Sequence, residues 1–375
     1  CCFIFQLSLF FIFFSFFFVF VFFFFVFFSF FFFFFQAEDG IRDVERSRGL
    51  GMCIRDSSYT DKSHLKHNYM KALTHQLETE LNNYVRKYNK KLETVFIGGG
   101  TPSAVKYTEY EQVFKLIQPY INDDTEISTE ANPNSGTVEW LRAMYNYGVK
   151  RVSFGVQSFN DEKLKVLGRA HRSNRAIKAI HDARKVGFKA INCDIIYGVK
   201  GDTFESMKKD FDLIERLPIT HISAYSLILE KGTKFFNKHH LKIDDEELSQ
   251  DLFSYLKNMG FNQYEISNFS IKKEYESKHN KGYWQHKEYL GIGAGAVGYK
   301  NKVRYYTYED LDKYINNPLF TNTETLSDND IKMEKVLLGF RTSLGIKMDI
   351  FTQKERVKIE DLTSTDKLYI KNDQL

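Results

Sequence analysis

The sequence predicts an α/β protein with a parallel sheet, and three observations carry that prediction. Five β-branched and aromatic runs occur at 93–97, 125–130, 151–156, 189–196 and 221–227. Apolar residues at helical spacing fill every gap between them, and strands that recur every ~25–40 residues with a helix between are joined by crossovers that make neighbours parallel. The first four runs also end in, or carry near their ends, glycine or a polar side chain: Gly98 to Gly100, Glu130, Gln157 and Asp194. Parallel α/β sheets bind ligands outside the carboxyl ends of their strands, so the same runs that set the fold also locate its function.

Residues 1–57 stand apart. Of the 37 Phe, 22 precede Gln36. The run 3–35 is long enough to span a bilayer, but its Phe bias resembles a translated poly-T tract rather than the Leu, Ile and Val mixture of membrane spans. Residues 36–57 resemble translated sequencing-adapter sequence. No basic segment precedes the run and no small-residue cleavage site follows it, so it is not read as a signal peptide. The whole stretch is set aside as a non-native low-complexity and adapter-like leader.

The remaining 318 residues carry 48 Lys and Arg against 43 Asp and Glu, a mild excess of +5. That balance argues against a dedicated nucleic-acid binder, which would show a basic stripe, and against a disordered chain. Of four cysteines, Cys1, Cys2 and Cys53 fall in the leader and Cys193 stands alone in the body. One cysteine builds neither a disulfide framework nor a thiolate cage, and this usage fits a cytoplasmic, reducing compartment with no membrane span in the native part.

Taken in order, 63–88 has apolar residues at helical spacing (Leu65, Tyr69, Ala72, Leu73, Leu77, Leu81 and Tyr84). The strand 93–97 empties into Gly98-Gly99-Gly100-Thr101, where absent Cβ atoms permit positive φ and let a ligand touch the main chain. Helical patterns at 110–121, 138–147, 174–186 and 206–217 alternate with the later strands. Glu130 and Asp194 are charges within apolar runs, costly unless partnered. Pairing with Arg151, or a helix-capping role for Asp194, would explain either one alone; polar groups at four successive strand ends point jointly to a ligand. Near Lys231 the composition shifts. A helix is expected at 244–259, a short strand at 263–266, a Lys-, Glu-, His- and aromatic-rich segment at 271–289, and a glycine run at 290–298. Beyond about 306 helical patterns at 310–315 and 328–342 suggest a small appended domain. Residues 367–375 read as a strand entering a turn without a return strand, whose open edge suggests truncation.

The segments Gly98-Gly-Gly-Thr-Pro-Ser103, Glu130-Ala-Asn-Pro133, Gly155-Val-Gln-Ser-Phe159, Leu167-Gly-Arg-Ala-His171, Asp194-Ile-Ile-Tyr-Gly198 and Leu290-Gly-Ile-Gly-Ala-Gly295 occur in this order. As an ordered set spanning 58–375 they resemble the radical S-adenosylmethionine (SAM) superfamily, and within it oxygen-independent coproporphyrinogen III oxidases and the HemW-type haem chaperones. The resemblance implies a partial (β/α)6 barrel lacking its first strand over 58–305, extension included, and a truncated, mainly helical C-terminal domain over 306–375. It implies SAM as cofactor. The main chain of Gly98, Gly99, Gly100 and Thr101 would hold its amino-acid end, Glu130 would meet cationic or hydroxyl groups, and Arg169 would fork onto the carboxylate. Gln157 would supply a neutral donor and acceptor, Asp194 would take the ribose diol, and Gly198 and Val297 would complete the pocket.

The same family binds a 4Fe-4S cluster through Cys-x3-Cys-x2-Cys just after its first strand. That motif is absent here, its place falling immediately before Ser58, and Cys53 does not belong to it. The resemblance therefore implies the cluster for an intact protein and not for this chain. His279-Asn280-Lys-Gly-Tyr283-Trp284 matches a His-Asn-x-x-Tyr-Trp motif of the HemW-type group, which implies haem as cargo, with an imidazole for the iron and Tyr283 and Trp284 beside the macrocycle. The alternative is a core or loop cluster around a hydrogen-bonded His279. The implied function is a haem chaperone that delivers haem to acceptor proteins of unknown identity; the alternative is oxidative decarboxylation of coproporphyrinogen III to protoporphyrinogen IX. Gly293-Ala-Gly295-Ala-Val-Gly298 fits a dinucleotide-binding pattern by letter, but no helix follows to face a pyrophosphate. Its glycines are expected to admit SAM or a porphyrin against the backbone. His239-His240 lies in a Lys-rich loop and is read as solvated.

Overall fold

Side chains on successive strand residues point to opposite faces, and the strands use this to separate an apolar face from a polar one. The computed structural model describes residues 64–229, 235–364, 368–371 and 374–375; the leader assigned to 1–57 lies outside the described residues. Strand β1 (Thr94–Ile97), β2 (Glu126–Ala131), β3 (Arg151–Gln157), β4 (Ala190–Tyr197) and β5 (His221–Ser226) pair in sequence order and all in parallel. Between them lie α1 (Lys66–Glu80, ahead of β1), α2 (Glu111–Ile117), α3 (Val138–Asn146), α4 (Asp161–Val166), α5 (Ser173–Val186) and α6 (Phe204–Glu215). This is the alternation expected from the sequence, with α4 as an additional short helix between β3 and β4. Among the described residues β1 is the terminal strand of the sheet.

The helix-covered face carries Ile127, Val152, Phe154, Val156, Ile191, Cys193, Ile195 and Ile222, and Leu141, Met144, Ile180 and Phe211 from the helices join them in one buried core. Each such side chain is worth about 1.5–3 kcal/mol when withdrawn from water. Capping side chains fix where the helices begin: Thr137 accepts from the Trp140 amide and Asn160 from Glu162 and Lys163, and Thr203 forms a reciprocal box with Ser206. Gly187 at φ 126° ends α5, a conformation that favours glycine.

Beyond β5 the chain forms α7 (Glu246–Asn258), β6 (Asn262–Gln263), β7 (Asn268–Ser270) and α8 (Lys278–Trp284). The single strand expected at 263–266 is instead a hairpin, with β7 antiparallel to both β5 and β6. Strands β8 (Val297–Lys300) and β9 (Val303–Tyr306) turn on Asn301 and Lys302, both at positive φ, the two-residue geometry that matches strand twist. After α9 (Leu311–Asn316), β10 (Asn322–Thr325) adds to β9. This third strand was not visible as a strand signal, since Asn-Thr-Glu-Thr is short, polar and exposed. Helices α10 (Asp328–Gly339) and α11 (Gln353–Thr363) follow. The edge expected to be open at the end of the chain is paired: Leu375 exchanges two backbone hydrogen bonds with Ile346, and Gln374 bridges Lys347 and Lys371. Among the described residues no helix is long and apolar enough to cross a membrane.

Candidate functional site

The polar face of the sheet is where the site lies. Glu126, Ser128 and Glu130 of β2, Arg151 and Ser153 of β3, Asn192 and Asp194 of β4, and His221 and Ser223 of β5 recur at every second residue, which places each set on one side. Register sets Glu130 beside Ser153, Ser153 beside Asn192, and Asp194 beside Ser223. Burying so many polar groups is tolerable only because they bond one another.

At the carboxyl end, the Gly99 amide donates to Glu130 Oε2 at 3.2 Å. Of the three glycines only Gly99 takes positive φ, at 85°, and a Cβ on Gly99 or Gly100 would meet nothing within 4 Å. Gly98 differs, since a Cβ there would strike the Phe96 ring and crowd Glu130 Cδ at 3.0 Å. The segment is thus exposed main chain laid over a carboxylate. Asp194 accepts from Ser153 Oγ at 3.0 Å and Asn192 Nδ2 at 2.7 Å. Neither alternative proposed for it holds: Arg151 pairs with Glu126 at 3.2 Å, and Asp194 caps no helix.

Electrostatics define what this end attracts. Burial pushes the Glu130 carboxyl up to about 8, with the Asp194 charge adding and the Gly99 amide opposing. Burial likewise raises Asp194 to about 6, held back by Ser153, Ser223, Asn192 and the Arg169 guanidinium. At neutral pH Glu130 holds a proton and Asp194 is charged. A cation arriving here would release that proton. Arg169 is itself shielded, which lowers its pKa against the pull of Asp194, and its Nε is buried without a protein partner among the described residues.

Other expected site residues are placed as follows. Gln157 is fully buried at the end of β3 with φ 71°, and its Nε2 lies 3.1 Å from where a Gly155 Cβ would stand. Such backbone strain in a non-glycine residue costs about 1–3 kcal/mol and gathers at functional sites. Thr101 accepts from the Ala104 amide at 2.8 Å as the loop turns. Gly198, at φ 76°, is held by Ile243, whose amide donates to its carbonyl at 2.9 Å. Val297 lies buried in β8 with its carbonyl against Gly291. Most of the glycine run does not open to a ligand as expected: Gly291 faces Val297, Gly298 faces the Tyr305 ring, and Gly293 faces Tyr69 Oη at 2.7 Å from its would-be Cβ, while a Cβ on Gly295 would meet only Glu309 at 3.9 Å. Gly291, Gly293 and Gly298 serve close packing within the protein.

The His-Asn-x-x-Tyr-Trp residues form α8, at the opposite, amino end of the polar face. The His279 amide donates to Glu126 Oε1 at 3.0 Å, and its Nδ1 lies 3.2 Å from Thr94 Oγ1. Its ring stacks on Phe96 with centroids 4.7 Å apart, and Tyr283 meets it edge-on at 4.6 Å. Asn280, Tyr283 and Trp284 are buried, with Arg341 over the Trp284 ring at 5.4 Å. Thr94, Glu126 and Arg151 begin their strands whereas Gly98, Glu130 and Gln157 lie at or beyond the ends of theirs, so the two candidate groups sit towards opposite ends of the strands, with the Phe96 ring against both His279 and Gly98. Among the described residues Cys193 is the only cysteine, buried on the apolar face with its thiol pushed up by burial, and no cluster of three or more metal-binding side chains occurs. The described residues do not fit a 4Fe-4S cluster.

Comparison with known proteins agrees with this geometry. The Radical SAM superfamily model matches residues 53–214. The Heme chaperone HemW of Lactococcus lactis is 34% identical over 285 residues, covering 73% of this chain and 75% of that one. The HemW of Bacillus subtilis is 33% identical over 295 residues, covering 74% and 77%. The chain belongs to the HemW group of the radical SAM superfamily. In fold, this HemW-group chain is similar to the coproporphyrinogen III oxidase HemN of Escherichia coli, a radical SAM enzyme, with a TM-score of 0.67 at 20% identity over 83% of this chain and 79% of that one. The residues that sequence reasoning missed in the HemW-group chain are the interior ones, Glu126, Ser153, Asn192, His221 and Ser223. Their signal was the polar alternation running the length of each strand, not only its end.

Proposed function

We propose that this HemW-group chain binds haem and passes it to acceptor proteins, with SAM held over the carboxyl ends of its strands. The family implies SAM and a 4Fe-4S cluster, and the residues present fit only the first. Exposed main chain at Gly99 and Gly100, the shielded carboxyls of Glu130 and Asp194, and the unpartnered Arg169 Nε suit a zwitterion that also carries a sulfonium and a diol. The observation that carries the reading is this convergence of a glycine cradle, two carboxyls and a guanidinium. Gly98 to Thr101 and Glu130 would receive the ammonium, Arg169 the carboxylate and Asp194 the ribose hydroxyls, with Gln157 beside the adenosine. SAM supplies the cationic sulfonium that the carboxyl pair compensates, and Glu130 gives up its proton as that charge enters.

For haem, His279 is the candidate imidazole and α8 the element that presents it, supported by the name carried by the relatives and by the half-buried position of His279. Two titrations of the purified chain test the proposal. Calorimetry with SAM should show saturable binding that Arg169→Ala or Asp194→Asn weakens about tenfold, the loss expected for a charge-assisted hydrogen bond. Haem should bind stoichiometrically with a Soret shift that His279→Ala diminishes, and should then move to an apo-haemoprotein. Failure to bind haem would overturn the chaperone reading, and formation of protoporphyrinogen IX from coproporphyrinogen III would favour the decarboxylase.

A further inference from the structure

Four buried hydrogen bonds connect the two ends of the polar face, and their direction is fixed by chemistry. The Ser277 backbone N–H donates to Tyr264 Oη at 3.1 Å. Tyr264 Oη lies 2.8 Å from His221 Nε2, His221 Nδ1 lies 2.6 Å from Asn192 Oδ1, and Asn192 Nδ2 lies 2.7 Å from Asp194 Oδ1. A charged Asp194 carboxylate can only accept, which sets the Asn192 NH2 towards it and the Asn192 carbonyl towards His221 Nδ1. That nitrogen carries the ring proton, Nε2 of the neutral ring accepts the Tyr264 hydroxyl proton, and the phenol oxygen accepts from Ser277. His221 is therefore the neutral Nδ1–H tautomer, which burial and nearby Arg151 favour by pushing its pKa far down. Every member is buried, from 2% exposed at His221 to 6% at Asp194 and Ser277. In such surroundings aligned bonds reinforce one another and a broken link is costly.

The two termini matter. Asp194 lies in the proposed SAM pocket. Ser277 is the N-cap of α8, its Oγ accepting from the Asn280 amide at 3.1 Å, and α8 carries His279, Asn280, Tyr283 and Trp284. No mechanical or catalytic role described above uses His221 or Tyr264. Tyr264 comes from the segment between β6 and β7, its ring edge-on to His221 at 5.6 Å, so the strand pairing that reverses direction after β5 is what brings it to this place.

We propose that His221 and Tyr264 are positioning residues that tie Asp194 to the start of α8, so that a nucleoside sulfonium bound at Asp194 stiffens the helix that presents His279. The inference rests on the SAM and haem reading above. Charge or hydroxyl donation at Asp194 alters the pull on Asn192, and the aligned relay carries that change to the Ser277 amide. The expected coupling is modest, about fivefold or more.

Hydrogen exchange of the full chain, with SAM as the probe, tests this. Saturating SAM should slow amide exchange across 277–284 about fivefold in the wild type. Tyr264→Phe should bind SAM measurably by calorimetry yet lose that protection, while Tyr255→Phe, whose hydroxyl meets Asp212 outside the relay, should keep it. SAM binding with equal exchange in wild type and Tyr264→Phe overturns the relay and leaves the SAM pocket standing. Absence of SAM binding in the wild type overturns the pocket and the relay together. Should Tyr264→Phe melt early, imidazole nitrogen NMR of the wild type decides: the relay demands a neutral Nδ1–H His221 with and without SAM, and an Nε2–H tautomer or an imidazolium refutes it.

Discussion

Glu130 shows how one side chain records the purpose of its surroundings. Its carboxyl titrates at about 8 in the folded chain, far above an unfolded Glu near 4.3, so between those values the native state binds the extra proton. Stability therefore falls as pH rises through that window and levels off above it. Glu130→Gln, neutral throughout, should flatten the dependence of Tm on pH between about 5 and 8 and melt higher than wild type at the upper end; parallel curves would show that Glu130 ionises freely. The adjoining glycines separate sterics from strain. Gly98→Ala should cost about 1–3 kcal/mol by overpacking against Phe96 and Glu130 and weaken SAM binding at least tenfold. Gly99→Ala meets open space and should cost only about 1 kcal/mol, for its left-handed backbone. Denaturant melts with SAM titrations distinguish the two. At this scale Glu130 and Asp194 stood out as candidates by residue type and position, and Arg169 only through the family resemblance. The failure of Gly291, Gly293 and Gly298 to line a pocket was not visible, because a glycine reads the same whether ligand or protein occupies the space beside it.

Elements show where local pattern suffices and where it does not. The five parallel strands and their intervening helices were legible because each buries a continuous apolar face against the core, which demands a strong period in sequence. Strand β10 and the β6–β7 hairpin were hidden because they are short and are held by pairing with residues distant in the chain. Within β2 and β3 the Glu126–Arg151 pair, with side chains 11% and 8% exposed, anchors α8 through the His279 amide and the Tyr275 carbonyl. Arg151→Ala leaves Glu126 buried beside no cation and should lose about 3–5 kcal/mol in chemical denaturation; Arg151→Met combined with Glu126→Leu should recover most of that. In the β8–β9 turn, Lys302 holds φ 63°, and its contact with Asp328 is solvent-exposed and so contributes little. Lys302→Gly should raise stability by about 1 kcal/mol by relieving that strain, read as a higher Tm.

At the scale of the molecule, the described residues hold two groups of candidate side chains towards opposite ends of one polar sheet face, the SAM candidates over the strand exits and α8 across the strand entrances. Anaerobic incubation with iron and sulfide is expected to leave this chain without 4Fe-4S absorbance, since its cysteines at 1, 2, 53 and 193 do not form Cys-x3-Cys-x2-Cys; a stable cluster spectrum would show that other thiolates reach the pocket. The order of the parallel strands, the glycine segment and the carboxyls at the strand ends follow from residue order alone, because each depends on local periodicity or on residue type at a strand end, whereas Arg169 and the missing cysteine motif came from the family resemblance. Folding was needed to reveal that Arg151 serves Glu126 rather than Asp194, that the space beside Gly291, Gly293 and Gly298 is filled by tyrosines and backbone, and that His221 and Tyr264 join Asp194 to α8. Those facts arise from contacts across turns and between strands, some between residues tens to hundreds of positions apart, where direction and distance are set by sheet register and close packing rather than by the periodicity of a local stretch.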